Sequence, residues 1–145
     1  MKLAIASDHG GFDLKEELKQ YLAKKGFDVT DVGTYSKQSC HYPEFAIKCA
    51  NLVKSGECKF GIIVCTSGEG VAMAANKIKG IRAGIGYNVT VSRLMREHND
   101  ANVITFGAKF TTFKQATARL EAFLKAEFQG GRHAERVRMI EEIEK

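Results

Sequence analysis

The chain has 145 residues, the size of one ordinary domain, with 44% hydrophobic and 27% charged residues, a single proline and a formal charge of +5. Nothing in it is low in complexity or repeated at a fixed period, which excludes fibrous, solenoid and disordered classes. The basic residues are mixed with acids and carry no interleaved aromatic stripe, so no nucleic-acid partner is expected and a small anionic substrate fits the surplus.

The opening stretch MKLAIASDHGGF meets Asp8 and His9 after a short apolar run. That run is too short for a signal sequence or a membrane span, so a cytoplasmic protein with no membrane partner is expected. KLAIAS (2–7) reads as a buried strand, and FDLKEELKQYLAKKG as the following helix. Leu14, Leu18, Tyr21 and Leu22 form its apolar stripe, and Gly26 ends it. FDVTDV (27–32) is a second strand. YPEFAIKCANLVKSG is a helix with Pro43 at its first position and Gly56 at its end. FGIIVC (60–65) is the third strand, and a helix over 70–77 follows. IRAGIG (81–86) is the fourth strand, VTVSRLMREH a helix, and NVITFG (102–107) the fifth strand. TFKQATARLEAFLKAEF and ERVRMIEEIEK close the chain as two helices hinged at Gly130 and Gly131.

Short apolar strands alternating with helices imply a parallel sheet with right-handed crossovers, covered on both faces. The fold expected is α/β: a single three-layer α/β/α domain over 1–145 with a five-stranded parallel, Rossmann-like sheet. Ligands of such folds bind outside the carboxyl ends of the strands. Those ends carry Ser7-Asp8-His9, Cys65 to Gly70, Tyr87-Asn88 and Gly107 to Lys109.

Four cysteines, Cys40, Cys49, Cys58 and Cys65, are spaced too widely for a zinc knuckle or a redox pair and read as free thiols. Cys65 alone sits where a strand meets a glycine-bearing loop. The loop Thr66-Ser67-Gly68-Glu69-Gly70 is not a dinucleotide fingerprint, because position 73 is Met73, and it lacks a P-loop lysine. A thiol phosphatase would need an arginine where Val71 stands. What remains is a row of amides before a helix, a natural anion site that also favours thiolate. A thiolate there can take a proton from carbon while the amides hold the enolate-like charge. Taken alone, Cys65 reads first as a small hydrophobe closing a core strand beside a tight turn.

Three further groups are open in the same way. Asp8-His9-Gly10-Gly11 allows close backbone approach to a ligand or simply caps a helix. Arg132 and Arg136, four apart, share a helix face that grips phosphate or is merely solvated. His98 with Asn99 and Asp100 is a catalyst or a helix C-terminal cap.

The segments IASDHGGFDLK, VTDVGTYS, YPEFA, FGIIVCTSGEGVAMAANKIKGIRA, REHNDANVITFGAK and GGRHAERV, in this order, resemble the ribose/galactose isomerase family, which also holds the galactose-6-phosphate isomerase subunits. The resemblance implies an aldose–ketose isomerase with no cofactor and no metal, interconverting ribose 5-phosphate and ribulose 5-phosphate through a cis-enediol. It implies that Cys65 is the base, that Ser67 assists at the hydroxyls, and that the amides of Thr66, Ser67, Gly68, Glu69 and Gly70 hold the enediolate. His98 would help open the sugar ring, Asp8 and Asn99 would bind hydroxyls, and His9, Arg132 and Arg136 would bind phosphate. Tyr42, His98, Asn99 and Lys109 resemble residues contributed by a partner subunit, which implies a homodimer with shared active sites, or a tetramer of such dimers. The motif Cys65-to-His98 separation agrees, since one ends a strand and the other follows a helix at the opposite edge. Relatives often carry arginine at Lys109, aspartate at His41, glycine at Thr66 and an apolar residue at Glu69. These departures leave a six-carbon sugar such as allose 6-phosphate or galactose 6-phosphate as the alternative substrate, with a non-catalytic sugar-phosphate binder behind it.

Overall fold

The computed structural model describes all residues 1–145. Its strands are β1 (Lys2–Ser7), β2 (Asp28–Asp31), β3 (Phe60–Cys65), β4 (Ala83–Ile85) and β5 (Val103–Gly107). Its helices are α1 (Phe12–Lys24), α2 (Tyr42–Lys54), α3 (Glu69–Ala75), α4 (Val89–Glu97), α5 (Phe113–Lys125) and α6 (Arg132–Ile143). The strands form one parallel sheet in the order β2-β1-β3-β5-β4. The expected three-layer α/β/α architecture is present.

Alternation along the central strands builds the two faces. Leu3, Ile5, Phe60, Ile62, Val64, Ile104 and Phe106 pack with α1, α4 and α5. Ala4, Ala6, Ile63, Cys65 and Val103 pack with α2 and α3. Right-handed crossovers require this division, because the chain moves one way across the sheet through α2 and α3 and the other way through α1 and α4. The chain leaves β1 for β2 on one side and returns to β3 on the other, so the gap between the ends of β1 and β3 is the topological switch point.

Several boundaries differ from the sequence reading. The edge strands shrink to 28–31 and 83–85, because each pairs on one side only and is half-exposed. The helix predicted over 70–77 is α3 at 69–75, and Tyr42 rather than Pro43 takes the first helical position of α2. The last helix begins at Arg132, three residues before the expected Glu135. Gly131, at φ 56, turns the chain into it and the buried His133 anchors its first turn.

The segment between β2 and α2 is tied down by charge. Lys15, fully buried on α1, reaches Asp31 Oδ2 at 2.6 Å, and Lys19 reaches the same atom at 2.9 Å. Burial opposes the charge on Asp31, but Lys15, Lys19 and the Gly33 N–H outweigh it and hold the carboxyl below its ordinary range. The Gly33 carbonyl then accepts from Ser7 N–H at 2.8 Å, which carries the segment over the end of β1.

Candidate functional site

The carboxyl end of the sheet gathers one group of polar residues. Beyond Ser7, Asp8 caps a 3-10 turn over His9–Gly11, its Oδ1 accepting from the Gly11 N–H at 3.1 Å. Asp8 N–H donates to the Val64 carbonyl at 3.2 Å, joining this end of β1 to β3. His9 is exposed, and its Nδ1 accepts from the Cys40 N–H at 3.2 Å. A side chain at Gly10 would collide with the Thr66 hydroxyl, so the two loops approach as closely as backbone allows.

Cys65 ends β3 with its side chain 5% exposed, and Sγ accepts from the Gly68 N–H at 3.1 Å. Gly68, at φ 79, makes the turn that aims this amide back at the sulfur; a Cβ there would also sit 2.9 Å from the Phe106 carbonyl carbon. Thr105 Oγ1 donates to the Gly68 carbonyl at 2.8 Å and fixes the loop to β5. Ser67 Oγ accepts from the Glu69 N–H at 3.2 Å. Thr66, Ser67 and Glu69 are exposed around the buried thiol. The thiol therefore lies at the switch point of the sheet, under a loop whose Gly68 amide donates directly to the sulfur.

Tyr42 and Lys109 belong to this group within their own chain. The Tyr42 ring lies against Gly70, with a ring carbon 2.5 Å from where a Cβ would stand. Lys109 follows β5, and its N–H donates to the Thr66 carbonyl at 3.1 Å. The carboxyl ends of β3 and β5 are neighbours, so the Lys109 backbone and the Cys65 loop share one edge.

A second group stands at the other end. His98 closes α4, half-buried, and stacks on His133 with ring centroids 4.3 Å apart and planes within 9°. Asn99 is exposed beside it, and Arg132 and Arg136 are exposed on the first two turns of α6. The chain then passes Asn102, whose carbonyl accepts from Gly61 N–H at the start of β3, while Cys65 is four residues further on and pairs with Gly107. Four residues of strand span about 13 Å. The structure thus brings together Asp8, His9, Tyr42, Cys65, Thr66, Ser67, Gly68, Glu69, Gly70 and Lys109, and separately His98, Asn99, Arg132 and Arg136.

His133 and Cys40 carry contacts that the sequence reading assigned no role. His133 stands inside the quoted GGRHAERV beside Arg132, and that adjacency was its only signal. Burial, and then the positive charge of His98, Arg132 and Arg136, holds its imidazole below the ordinary histidine value. A lowered folded-state value means that the unfolded chain binds the proton more readily. Stability from this group is present above about pH 6.5, the ordinary value, and is lost as pH falls below it. The melting temperature is expected to drop on acidification from pH 7.5 to 5.5, and inorganic sulfate at matched ionic strength is expected to reverse part of the drop. An identical acid slope and sulfate response in His133→Gln would show that this cluster is not the source.

Residues 3–140 match the Ribose/Galactose Isomerase family, a span that contains every residue of both groups. The chain belongs to this family. It is 41% identical over 143 residues to the ribose-5-phosphate isomerase B of Escherichia coli strain K12, covering 99% of this chain and 96% of that one. Among solved structures, the ribose-5-phosphate isomerase B of Clostridium thermocellum superposes with a TM-score of 0.98 at 49% identity, covering 99% and 97%. The Mycoplasma genitalium enzyme of the same name, solved with bound ribulose-5-phosphate, gives 0.94 at 39% identity, covering 99% and 95%.

Proposed function

We propose that the chain is a single sugar-phosphate isomerase domain that interconverts ribose 5-phosphate and ribulose 5-phosphate. The observation that carries the reading is the buried Cys65 beneath the 66–70 amides, in a chain so similar to proteins named ribose-5-phosphate isomerase B. Moving a hydrogen between carbon 1 and carbon 2 needs a base on one face and a donor set for the developing enediolate. Cys65 is the base, Ser67 serves the hydroxyls, and the loop amides hold the charge. Asp8 binds a sugar hydroxyl, and His9 donates to the phosphate.

Ring opening and phosphate binding fall to the second group. His98 moves the ring proton, Asn99 binds a hydroxyl, and Arg132 and Arg136 grip the phosphate as charge-assisted donors. Because these stand at the far end of their own sheet, a second copy of the chain supplies them. The assembly is a homodimer, alone or paired into a tetramer, in which each site takes its base from one chain and its ring-opening group from the other. No helix is long and apolar enough to cross a membrane. Four free cysteines support a reducing, cytoplasmic setting.

The test is turnover on a panel of ribose 5-phosphate, allose 6-phosphate, galactose 6-phosphate and unphosphorylated ribose, with and without a chelator. Ribose 5-phosphate is expected to have the highest kcat/KM, unmoved by chelation. Preference for a six-carbon phosphate would change the assigned sugar, and absence of turnover on all four would leave a binder rather than an enzyme.

A further inference from the structure

Arg82, just before β4, has its side chain 14% exposed and lines a cleft together with Asn99, Ile140 and Glu144. Its Nε donates to the carbonyls of Asn99 at 3.1 Å and Asp100 at 3.0 Å. One terminal nitrogen lies 3.4 Å from Asp100 Oδ2, and the other 3.3 Å from Glu141 Oε1 on α6. Asp100 has φ 48, a left-handed conformation that a non-glycine residue keeps only when its surroundings hold it. From the opposite side Arg96 donates to Asp100 Oδ1 and to the Ala101 carbonyl, both at 2.8 Å. Arg96 is itself packed over Phe60 with 4.6 Å from guanidinium to ring centroid.

We propose that Arg82 is a positioning residue for the isomerase site, fixing the His98–Asn99 turn and tying it to α6, the helix that carries Arg132 and Arg136. This rests on the reading of His98, Asn99 and the two arginines given above. Arg96 is rooted in the core, whereas Arg82, beside the His98–His133 stack, joins the turn to α6 by hydrogen bonds. A planar guanidinium is needed, because four acceptors are met in directions that a lysine ammonium on a shorter reach cannot match. Displacing a ring-opening group by an ångström costs on the order of 100-fold in rate, so a brace at this distance from the chemistry has kinetic weight.

The experiment compares Arg82→Met, Arg82→Lys, Glu141→Gln and His98→Ala in the full-length protein. Arg82→Met is expected to lose on the order of 10–100-fold in kcat/KM, through both kcat and KM, at temperatures well below its melting point. Arg82→Lys should fail to rescue it. Glu141→Gln weakens only the tie to α6, exchanging a carboxylate acceptor for a neutral amide oxygen, and should raise KM a few-fold with kcat unchanged. The ring proton signals of His98 and His133, shifted by their mutual stacking in the wild type, should move in Arg82→Met, a readout that needs no turnover. Should Arg82→Met fail to fold, Arg82→Lys carries the test, with wild-type kinetics and wild-type ring signals overturning the proposal. The same result in Arg82→Met, beside a crippled His98→Ala, would overturn it alone. Full activity in His98→Ala would instead remove the site reading, and the proposal with it.

Discussion

Replacing Cys65 by alanine is expected to lower turnover by ~10²–10⁴-fold, the usual contribution of a positioned general base, while substrate still binds. The substitution removes one sulfur from the edge of the core cluster shared with α2 and α3, and the loop keeps its tie from Thr105 to the Gly68 carbonyl. The fold is therefore preserved and KM should move little, because the phosphate grip lies elsewhere. No other thiol can stand in. Burial pushes Cys49 up to about 12 and raises Cys58 as well, which keeps both protonated at neutral pH. Glu69 is the rival base, an exposed carboxylate four residues beyond the thiol. Turnover measured in Cys65→Ala and Glu69→Gln separates them: a large loss in the second with little in the first would hand the role to Glu69.

The central sheet was legible because its determinants are local. KLAIAS, FGIIVC and NVITFG are apolar runs bounded by glycine or polar residues, and β1, β3 and β5 follow them within a residue or two. β2 and β4 are shorter than their apolar runs, since each pairs on one side only and stops before its longer neighbour, β1 or β5. Cys65 was singled out by its place between a strand and a loop. What periodicity could not give is which side of the molecule a residue reaches. Tyr42 packs on Gly70 because α2 starts directly over the Cys65 loop, a contact that spacing along the chain does not announce. Arg82 passed unnoticed for the same reason. A lone arginine before a short strand has no pattern, and its meaning comes from Asn99, Asp100 and Glu141, which lie 17 to 59 positions away.

Two inactive proteins, Cys65→Ala and His98→Ala, are expected to regain activity when unfolded together in equal amounts and refolded. The argument is geometric. Cys65 closes β3 at the carboxyl end of the sheet, whereas His98 follows α4 on the approach to β5, four residues before Asn102, whose carbonyl accepts from Gly61 N–H near the start of β3. About 13 Å of strand separates those levels, too far for a base and a ring-opening group to act on one pentose phosphate from the same chain. In the proposed homodimer a two-fold axis would bring the carboxyl end of one sheet to the α6 side of the other. Random pairing makes half of the dimers mixed. In a mixed dimer one site collects both substitutions and the other collects neither, so recovery should approach about a quarter of wild-type activity by symmetry counting. If both residues served the same chain, every site would keep one lesion and mixing would restore nothing. Heterodimers verified by mass and still inactive would therefore sink the shared site. Recovery near a quarter would fix which chain supplies each group, because only an intersubunit pair can segregate two lesions into one site and leave its twin intact.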